Sequence, residues 1–172
     1  MSKTIRVLVG ALLCTGALAP FTVARAATEG QLAVVVAPYG GVLYTAGVEF
    51  GGTGNSSFSV RAGGFSYSYK DGSYWEDGSG TVFGVTGRFY STKSMEGMFF
   101  GAGLDLVSGE TTWGGWGYNG YTTYSGVAPH AVVGYKIRNG AMSIEPNLYA
   151  EVIQGEQVST VVGIGVTLGA RF

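Results

Sequence analysis

His130 is the only histidine in the chain and therefore the first candidate for a general base. A histidine that acts as a general base needs a nucleophile within hydrogen-bond reach. His130 is followed by Ala131 and Val132, and the nearest serines in sequence are Ser125 and Ser143. No pairing of a nucleophile with a base can be read from this spacing. We therefore predict no catalytic residue and expect a chain that is not an enzyme.

Metal, cofactor and nucleic-acid binding are also disfavoured by composition. Cys14 is the only cysteine, so a disulfide framework or a cysteine metal cluster is excluded. The acidic residues show none of the regular oxygen-ligand spacing of a calcium loop. Lys and Arg number 10 against 11 Asp and Glu, which is not the balance of a basic nucleic-acid binder. The sequence predicts no cofactor, no metal and no nucleic-acid partner.

This 172-residue chain is rich in glycine and aromatic residues and poor in charged residues. There are 31 glycines, aromatic residues make up 13% and charged residues only 12%, against roughly a quarter charged in ordinary soluble domains. A disordered chain would be poor in aromatics and rich in charge. The composition therefore indicates one folded domain built of β-structure.

The first residues have the pattern of an export signal. Lys3 and Arg6 precede an apolar stretch at 7–23, and Ala24-Arg25-Ala26 fits a small-x-small cleavage site. The alternative, an uncleaved N-terminal membrane anchor, is disfavoured by Pro20 and by the Ala-x-Ala ending.

Cleavage after Ala26 would divide the chain into a signal peptide, residues 1–26, and a mature domain, residues 27–172. Cys14 follows two leucines where a lipoprotein signal would place a small residue, so we interpret it as part of the apolar segment. The mature domain then has no cysteine, and none of its apolar runs reaches the roughly 20 residues of a spanning helix. We expect an exported, disulfide-free protein.

Apolar and polar residues alternate through most of the mature domain, which is the period of a β-strand and not of a helix. The clearest apolar face is that of the last segment, with Val162, Ile164, Val166, Leu168, Ala170 and Phe172. The other predicted strands lie at about 31–38, 42–50, 56–69, 81–90, 98–107, 127–137 and 142–153. Eight such segments, most of them near the 9–11 residues of a tilted membrane strand, predict an eight-stranded antiparallel barrel.

The predicted connections alternate in length. Those at 51–55, 91–97 and 138–141 are short, whereas long loops are expected at 70–80 and 108–126. Short turns at one end and longer loops at the other are typical of an outer-membrane barrel with both termini in the periplasm. The other two outer connections, at 38–41 and 154–157, are expected to be short.

Alternation does not by itself say whether the apolar face points inward, as in a soluble barrel, or outward to lipid. Three features favour lipid: a terminal strand that ends on Phe172, glycine on the polar face, and aromatic residues where strands meet loops. The aromatic residues in question are Tyr67, Tyr69, Tyr74, Trp75, Trp113, Trp116, Tyr118, Tyr121 and Tyr124. We therefore predict an all-β, up-and-down transmembrane barrel.

This architecture resembles the small eight-stranded outer-membrane proteins, namely the OmpA transmembrane domain, OmpX, OmpW and the neisserial surface proteins. The resemblance covers the whole mature domain and rests on the strand pattern and the C-terminal Phe172 instead of a diagnostic motif. It implies insertion by the barrel-assembly machinery through the last strand. Ala170 departs from the family, many members of which carry an aromatic residue two places before the final Phe.

Some barrels of this size modify lipid A, and the chain resembles the lipid A 3-O-deacylases superficially. Those enzymes carry His-x-Ser on one strand and Glu on the next. Glu145 lies on the strand after His130, but Val132 stands where the serine would be, so the resemblance does not extend to the nucleophile.

The charges assigned to the polar face balance, and an eight-stranded barrel is just wide enough for side chains to fill its interior. Charges enclosed there must be paired. We expect a plugged lumen, with a polar pathway for small solutes or protons as the alternative. The predicted lumen network consists of Glu49, Arg61, Arg88, Asp105, His130, Lys136, Glu145, Glu151 and Arg171. The charged residues Glu29, Lys93, Glu96 and Arg138 are assigned to the periplasmic side.

The two long loops are predicted to be acidic and aromatic. Their acidic residues are either simply solvated or bridge through divalent ions to lipopolysaccharide. The aromatic loop, with Trp113, Trp116, Tyr118 and Tyr121, is interpreted as an interfacial belt, with stacking on sugars or a protein as the alternative.

Two classes of function stay open. The first is a structural or surface-interaction barrel, a monomer in contact with outer-membrane lipid and lipopolysaccharide, that acts through the loops at 70–80 and 108–126. The second is a narrow channel for small or apolar solutes, which the resemblance to OmpW suggests. A wide porin is excluded because it needs about 16 strands.

Overall fold

Eight antiparallel strands close into a barrel in the computed structural model, which describes residues 28–38, 40–51, 54–154 and 158–172. Each strand pairs with the next and β1 pairs with β8, so the predicted fold class is confirmed. The strands are β1 Thr28–Val36, β2 Val42–Gly51, β3 Ser56–Asp71, β4 Tyr74–Tyr90, β5 Gly97–Gly115, β6 Tyr118–Asn139, β7 Met142–Gln154 and β8 Val158–Arg171. The proposed signal peptide lies outside the described residues. No helix long and apolar enough to cross a membrane occurs among those residues.

The apolar face of each strand points outward. Leu32, Phe89 and Ile164 are 63%, 63% and 70% exposed, and Phe172 is 82% exposed. The opposite face carries the polar side chains, among them Glu49, which is fully buried. Because successive strand residues point to opposite sides, the period-two pattern produces an apolar outer belt around a polar interior. The outward orientation predicted for the apolar face is confirmed.

The predicted loops at 70–80 and 108–126 are wrong. Both segments are β-hairpins that continue β3–β4 and β5–β6, with two-residue turns at Gly72-Ser73 and Trp116-Gly117. Gly72, Trp116 and Gly117 have φ values of 57°, 48° and 87°, as tight hairpin turns require. The sequence suggested loops because glycine, serine and threonine replace the apolar residues there, while the alternation itself persists.

β3 to β6 therefore rise beyond the other four strands as a four-stranded outer sheet, formed by residues 66–71, 74–81, 108–115 and 118–126. Its outward positions carry hydroxyl and charged side chains, such as Ser79, Ser108 and Glu110, in place of the apolar belt below. The end of the barrel that bears this sheet is called the outer end here. The opposite, inner end holds the first described residue, Thr28, and the last, Phe172.

Two prolines occur in the strands without shifting their register. Pro146 pairs with Val166 of β8, and the pairing of β6 with β7 resumes on the same register beyond it. Pro129 pairs with Leu104 of β5 and lies next to His130, the first β6 residue that pairs with β7. Neither proline belongs to the described pairs of the β6–β7 ladder, so its missing N–H donor removes no hydrogen bond from that ladder.

Candidate functional site

A lysine surrounded by three carboxylates occupies the inner half of the lumen. Lys136 Nζ lies 2.8 Å from Glu29, 2.7 Å from Glu49 and 2.8 Å from Glu145, and all four side chains are fully buried. Each carboxylate comes from a different strand, and Lys136 reaches them from β6. We call this group the lysine cage. The three carboxylates could hold a cation by geometry, but the ammonium group already contacts all three.

Two arginines complete the charge balance of the lysine cage. Arg88 Nη1 lies 2.8 Å from Glu145 and 3.7 Å from Glu49, and Arg138 Nη2 lies 2.8 Å from Glu29. Three cations thus face three carboxylates. Neutral donors also bind these carboxylates: Gln31, Tyr90 and Ser57 donate to Glu49, and Ser143 donates to Glu29. Buried charges are stable only when they are paired and hydrogen-bonded in this way.

A second group of polar side chains, the aspartate cluster, lies nearer the middle of the barrel. Asp105 accepts hydrogen bonds from Arg61 Nη2 at 2.6 Å and from the Tyr149 hydroxyl at 2.8 Å. Arg61 also donates to the Tyr149 oxygen at 2.7 Å. His130 Nδ1 lies 2.9 Å from Asp105, and its ring stacks on that of Tyr149. The cluster joins β3, β5, β6 and β7 across the lumen.

The aspartate cluster contains the atoms of a hydroxyl–imidazole–carboxylate triad. Thr86 Oγ1 lies 2.9 Å from His130 Nε2, and the other ring nitrogen faces Asp105. Sequence spacing gave no sign of this, because Thr86 and His130 are 44 residues apart. The cavity that Thr86 lines has a volume of about 30 Å³, room for about one water molecule. A substrate carbonyl therefore has no space beside this hydroxyl.

Two residues of the predicted lumen network stand apart from these pairs. Glu151 is buried at the outer edge of the aspartate cluster, and its Oε1 atom has no hydrogen-bond partner. Arg171 is half-buried on β8, and its Nε atom likewise has no partner. The other seven lie in the lysine cage, beside it or in the aspartate cluster.

The assignment of Glu29 and Arg138 to the periplasmic side is wrong, since both side chains point into the lumen, where Glu29 belongs to the lysine cage and Arg138 binds Glu29. The signal was present in the sequence. Glu29 is two residues before Gln31, and Arg138 is two residues after Lys136, so each shares a face with a lumen residue. Lys93 and Glu96 do lie at the inner end, where Glu96 is 40% exposed.

The outer half of the lumen is hollow. A cavity of about 620 Å³ opens between the aspartate cluster and the outer sheet. Its base includes Val35, Val107 and Glu151, and its walls include Phe65 and Tyr124. We call it the outer cavity.

Tyr67 lies on the inner face of the outer sheet, at the mouth of the outer cavity. Its hydroxyl donates to Glu76 at 2.8 Å and contacts Thr111 Oγ1 at 2.8 Å. Burial, together with the neighbouring Glu76 carboxylate, raises the pKa of Tyr67 to about 12. Tyr67 and Tyr124, expected where strands meet the membrane surface, thus face the cavity instead of lipid.

The aromatic loop residues lie at the tip of the β5–β6 hairpin. Trp116 is 80% exposed, Tyr118 76% and Tyr121 60%, whereas Trp113 is 37% exposed. The Tyr121 hydroxyl donates to Glu110 at 2.9 Å. Trp113 is seven residues beyond Leu106, the last apolar outward residue of β5, or about 24 Å along the strand.

Solved structures with the same fold were found. The attachment invasion locus protein Ail of Yersinia pestis matches with a TM-score of 0.57 and 11% identity, over 86% of this chain and 97% of Ail. Neisserial surface protein A matches with a TM-score of 0.53 and 11% identity, over 86% and 96%. The N-terminal barrel domain of OprF from Pseudomonas aeruginosa matches with a TM-score of 0.51 and 13% identity, over 83% and 96%.

The sequence itself matches no protein-family model and no curated protein. The structural matches confirm the expected resemblance to the small eight-stranded outer-membrane barrels at the level of fold. The apolar belt gives this chain the lipid-facing surface that such a fold requires.

Proposed function

We propose that this chain is a non-enzymatic outer-membrane protein that presents its outer sheet for contacts at the cell surface. The observation that carries the proposal is the unpaired edge of β6 above the membrane belt. The fold and the belt place the barrel in the outer membrane, and the long hairpins then project away from the periplasm.

β6 has a long free edge. Residues 118–129 pair with β5 on one side, but among the described residues the pairing with β7 begins only at His130. A strand edge with unpaired N–H and C=O groups is a template for another strand, and proteins usually cover or shorten it. Above the belt the edge comprises residues 118–126, and a partner that adds a strand there would gain main-chain hydrogen bonds along these nine residues.

The tip of the outer sheet adds side-chain chemistry to this edge. Trp116 and Tyr118 stand far outside the lipid belt, which favours contact with a partner over the role of an interfacial girdle. Asp71, Asp77 and Glu110 make the surface acidic. A basic polypeptide with an extended segment is therefore the partner that fits best.

The band of hydroxyl residues just above the belt suits a second contact. Ser79, Thr81, Ser108, Thr123 and Ser125 line a shallow groove on the outward face of the outer sheet. At this height they would face the sugar and phosphate groups of lipopolysaccharide. Insertion through the C-terminal strand fits Phe172, which is 82% exposed at its end.

A non-conducting barrel fits the lumen better than a channel does. The lysine cage fills the inner half with paired charges, and the next level contains a cavity of only about 30 Å³. Planar-bilayer recording of the refolded mature protein should show no steady single-channel conductance. Reproducible conductance would favour the narrow channel instead.

We propose that the chain has no enzymatic activity because the cavity that Thr86 lines is too small for a substrate. Cells that produce the wild-type protein, Thr86→Ala or His130→Ala should have identical lipid A by mass spectrometry. A lipid A change that is lost in either variant would contradict this part of the proposal.

Surface display can be tested by cysteine labelling, because Cys14 belongs to the predicted signal peptide. Ser73→Cys at a hairpin turn should react with a membrane-impermeant maleimide on intact cells. Lys93→Cys at the inner end is the matched control and should react only after the outer membrane is permeabilised. The reverse result would overturn the proposed orientation.

Partner binding needs a variant that keeps the barrel. Replacing residues 110–123 by Asn-Gly shortens the β5–β6 hairpin and removes the tip and most of the free edge. Cells that display the full chain should adhere to a surface coated with basic protein, and cells with the shortened hairpin should not. Equal adhesion, with both proteins heat-modifiable on gels, would contradict the proposal.

A further inference from the structure

The outer cavity has the size and shape of a ligand site, although the proposed surface contacts make no use of it. Its volume of about 620 Å³ lies within the ~300–1,000 Å³ of small-molecule sites. Glycine shapes one wall of the cavity indirectly. A Cβ at Gly80 would come within 2.5 Å of the Phe65 ring, so the missing side chain lets this lining ring lie against β4.

Most of the lining is apolar. Val35, Leu43, Val82, Val107 and Ile153 contribute aliphatic side chains. The aromatic lining residues are Phe65, Tyr67, Tyr69, Tyr124 and Tyr149. An apolar body would be desolvated against these groups, with a gain of about 25 cal/mol for each Å² of apolar surface buried.

The charges around the outer cavity have a single sign. The described residues that line it include two carboxylates, Glu76 at the mouth and Glu151 at the base, and no Lys, Arg or His. Anions are therefore repelled at both ends of the cavity. Cations are attracted, and the tyrosine and phenylalanine rings favour them further through their faces.

One oxygen of Glu151, at the base of the cavity, lacks a partner. The side chain is buried and its Oε1 atom accepts no hydrogen bond. The carboxyl group does contact Tyr149 and Asp105, and its neighbouring cation, Arg61, is already bound to Asp105. An unsatisfied buried carboxylate oxygen is costly, and a donor delivered from the cavity would remove that cost.

We propose that the outer cavity binds a small amphiphilic amine, with its apolar body against the aliphatic and aromatic walls and its ammonium group on Glu151. One hydrogen bond from the ammonium to Oε1 would satisfy the unpartnered atom. The site goes beyond the proposed surface contacts and includes no residue of the hairpin tip, since the β6 residues that line it are Tyr124, Gly126, Val127 and Ala128.

Three probes with one apolar body test the proposal: 1-aminoadamantane, 1-adamantanol and adamantane-1-carboxylate. Binding to the mature barrel in phosphatidylcholine nanodiscs is measured by calorimetry, with empty nanodiscs subtracted for partition into lipid. The amine should bind at least about tenfold more tightly than the carboxylate, as one charge-assisted hydrogen bond predicts. Equal affinities would overturn the proposal.

Variants locate the site. Glu151→Gln should weaken the amine about tenfold or more and leave the alcohol unchanged, whereas Ala128→Phe, which fills the base of the cavity, should weaken all three probes. Glu110→Gln, on the outward face of the outer sheet, is the matched control and should change none. No effect of Glu151→Gln or of Ala128→Phe would overturn the proposal.

Folding of each variant is checked by heat-modifiable mobility, and Val107→Phe replaces Ala128→Phe if the latter does not fold. If Glu151→Gln does not fold, the proposal is tested on the wild-type barrel by NMR, from the amide resonances that shift when the amine is added. The amine should then shift the resonances of Ala128 and Glu151, and shifts confined to the outer belt would contradict the proposal.

Discussion

The inner half of the lumen is packed with opposite charges that contact one another, whereas the outer half is a mostly apolar cavity whose described lining includes carboxylates and no cation. In the inner half, Lys136 touches three carboxylates within 2.8 Å. In the outer half, Glu151 keeps one oxygen without a partner. Among the described residues, the same eight strands thus enclose one region whose carboxylates all contact cations of the chain and one whose buried carboxylate, Glu151, has no cation bound to it.

We expect the inner half of the lumen to contribute stability and the outer half to contribute ligand binding. A network of buried ion pairs loses stability when one member is removed, since the remaining charges stay buried. A hollow region contributes little packing, and its free group becomes satisfied only when something binds. Substitutions in the two halves should therefore differ both in the size of their effect and in what they affect.

Removal of the central cation should have the largest effect. Lys136→Met leaves Glu29, Glu49 and Glu145 close together with only two arginines nearby. Breaking a buried ion pair costs about 3–5 kcal/mol, and here three contacts are lost at once. We expect failure to refold or a large fall in the urea midpoint in lipid vesicles.

Lys93→Met, at the exposed inner end, is the control for loss of a lysine and should leave the midpoint unchanged. A Lys136→Met barrel with the midpoint of the wild-type protein would mean that water enters the inner half. The contrast between the two halves of the lumen would then be wrong.

Arg88→Ala should have the next largest effect. It removes the 2.8 Å contact with Glu145 and the weaker approach to Glu49, but both carboxylates keep Lys136. We expect a loss of about 2–4 kcal/mol, smaller than for Lys136→Met. Urea unfolding of the two variants under the same conditions shows which one loses more free energy of unfolding. An equal or larger loss for Arg88→Ala would contradict the central role of Lys136.

The strand pattern could be predicted because alternation depends only on neighbours in sequence. The outward belt, the lumen face and the closed barrel follow from it. In the hairpins, composition predicts loops whereas period predicts strands: Ser79, Thr81 and Ser108 keep the alternation of a strand while they lose its apolar face. For Glu29 and Arg138, at the inner ends of β1 and β6, a position near a strand end predicts the periplasmic side whereas period predicts the lumen.

The contacts within the lumen could not be predicted from one sequence. Whether Thr86 or another hydroxyl meets His130 depends on the stagger of β4 against β6, two strands apart, and local pattern does not determine stagger. The outer cavity also depends on three-dimensional context. A glycine such as Gly80 predicts missing volume, but only the assembled barrel shows that the Phe65 ring occupies it and that the cavity lies on the other side of that ring.

The smallest effect is expected in the outer sheet, at Tyr67. Tyr67→Phe removes hydrogen bonds to Glu76 and Thr111, and because water reaches this region the loss should be about 1 kcal/mol or less. The pKa of Tyr67 is raised to about 12, from about 10 in the unfolded chain. The neutral Tyr67 hydroxyl therefore stabilises the folded barrel fully below pH 10, and this stabilisation is lost between pH 10 and 12. The wild-type barrel should therefore lose stability over that range more steeply than Tyr67→Phe, as urea midpoints at pH 9, 10, 11 and 12 would show.

Tyr44→Phe, a tyrosine on the lipid-facing side, is the control and should leave the slope unchanged. Equal slopes for the wild-type protein and Tyr67→Phe would mean that the mouth of the outer cavity is open enough for water to replace these hydrogen bonds.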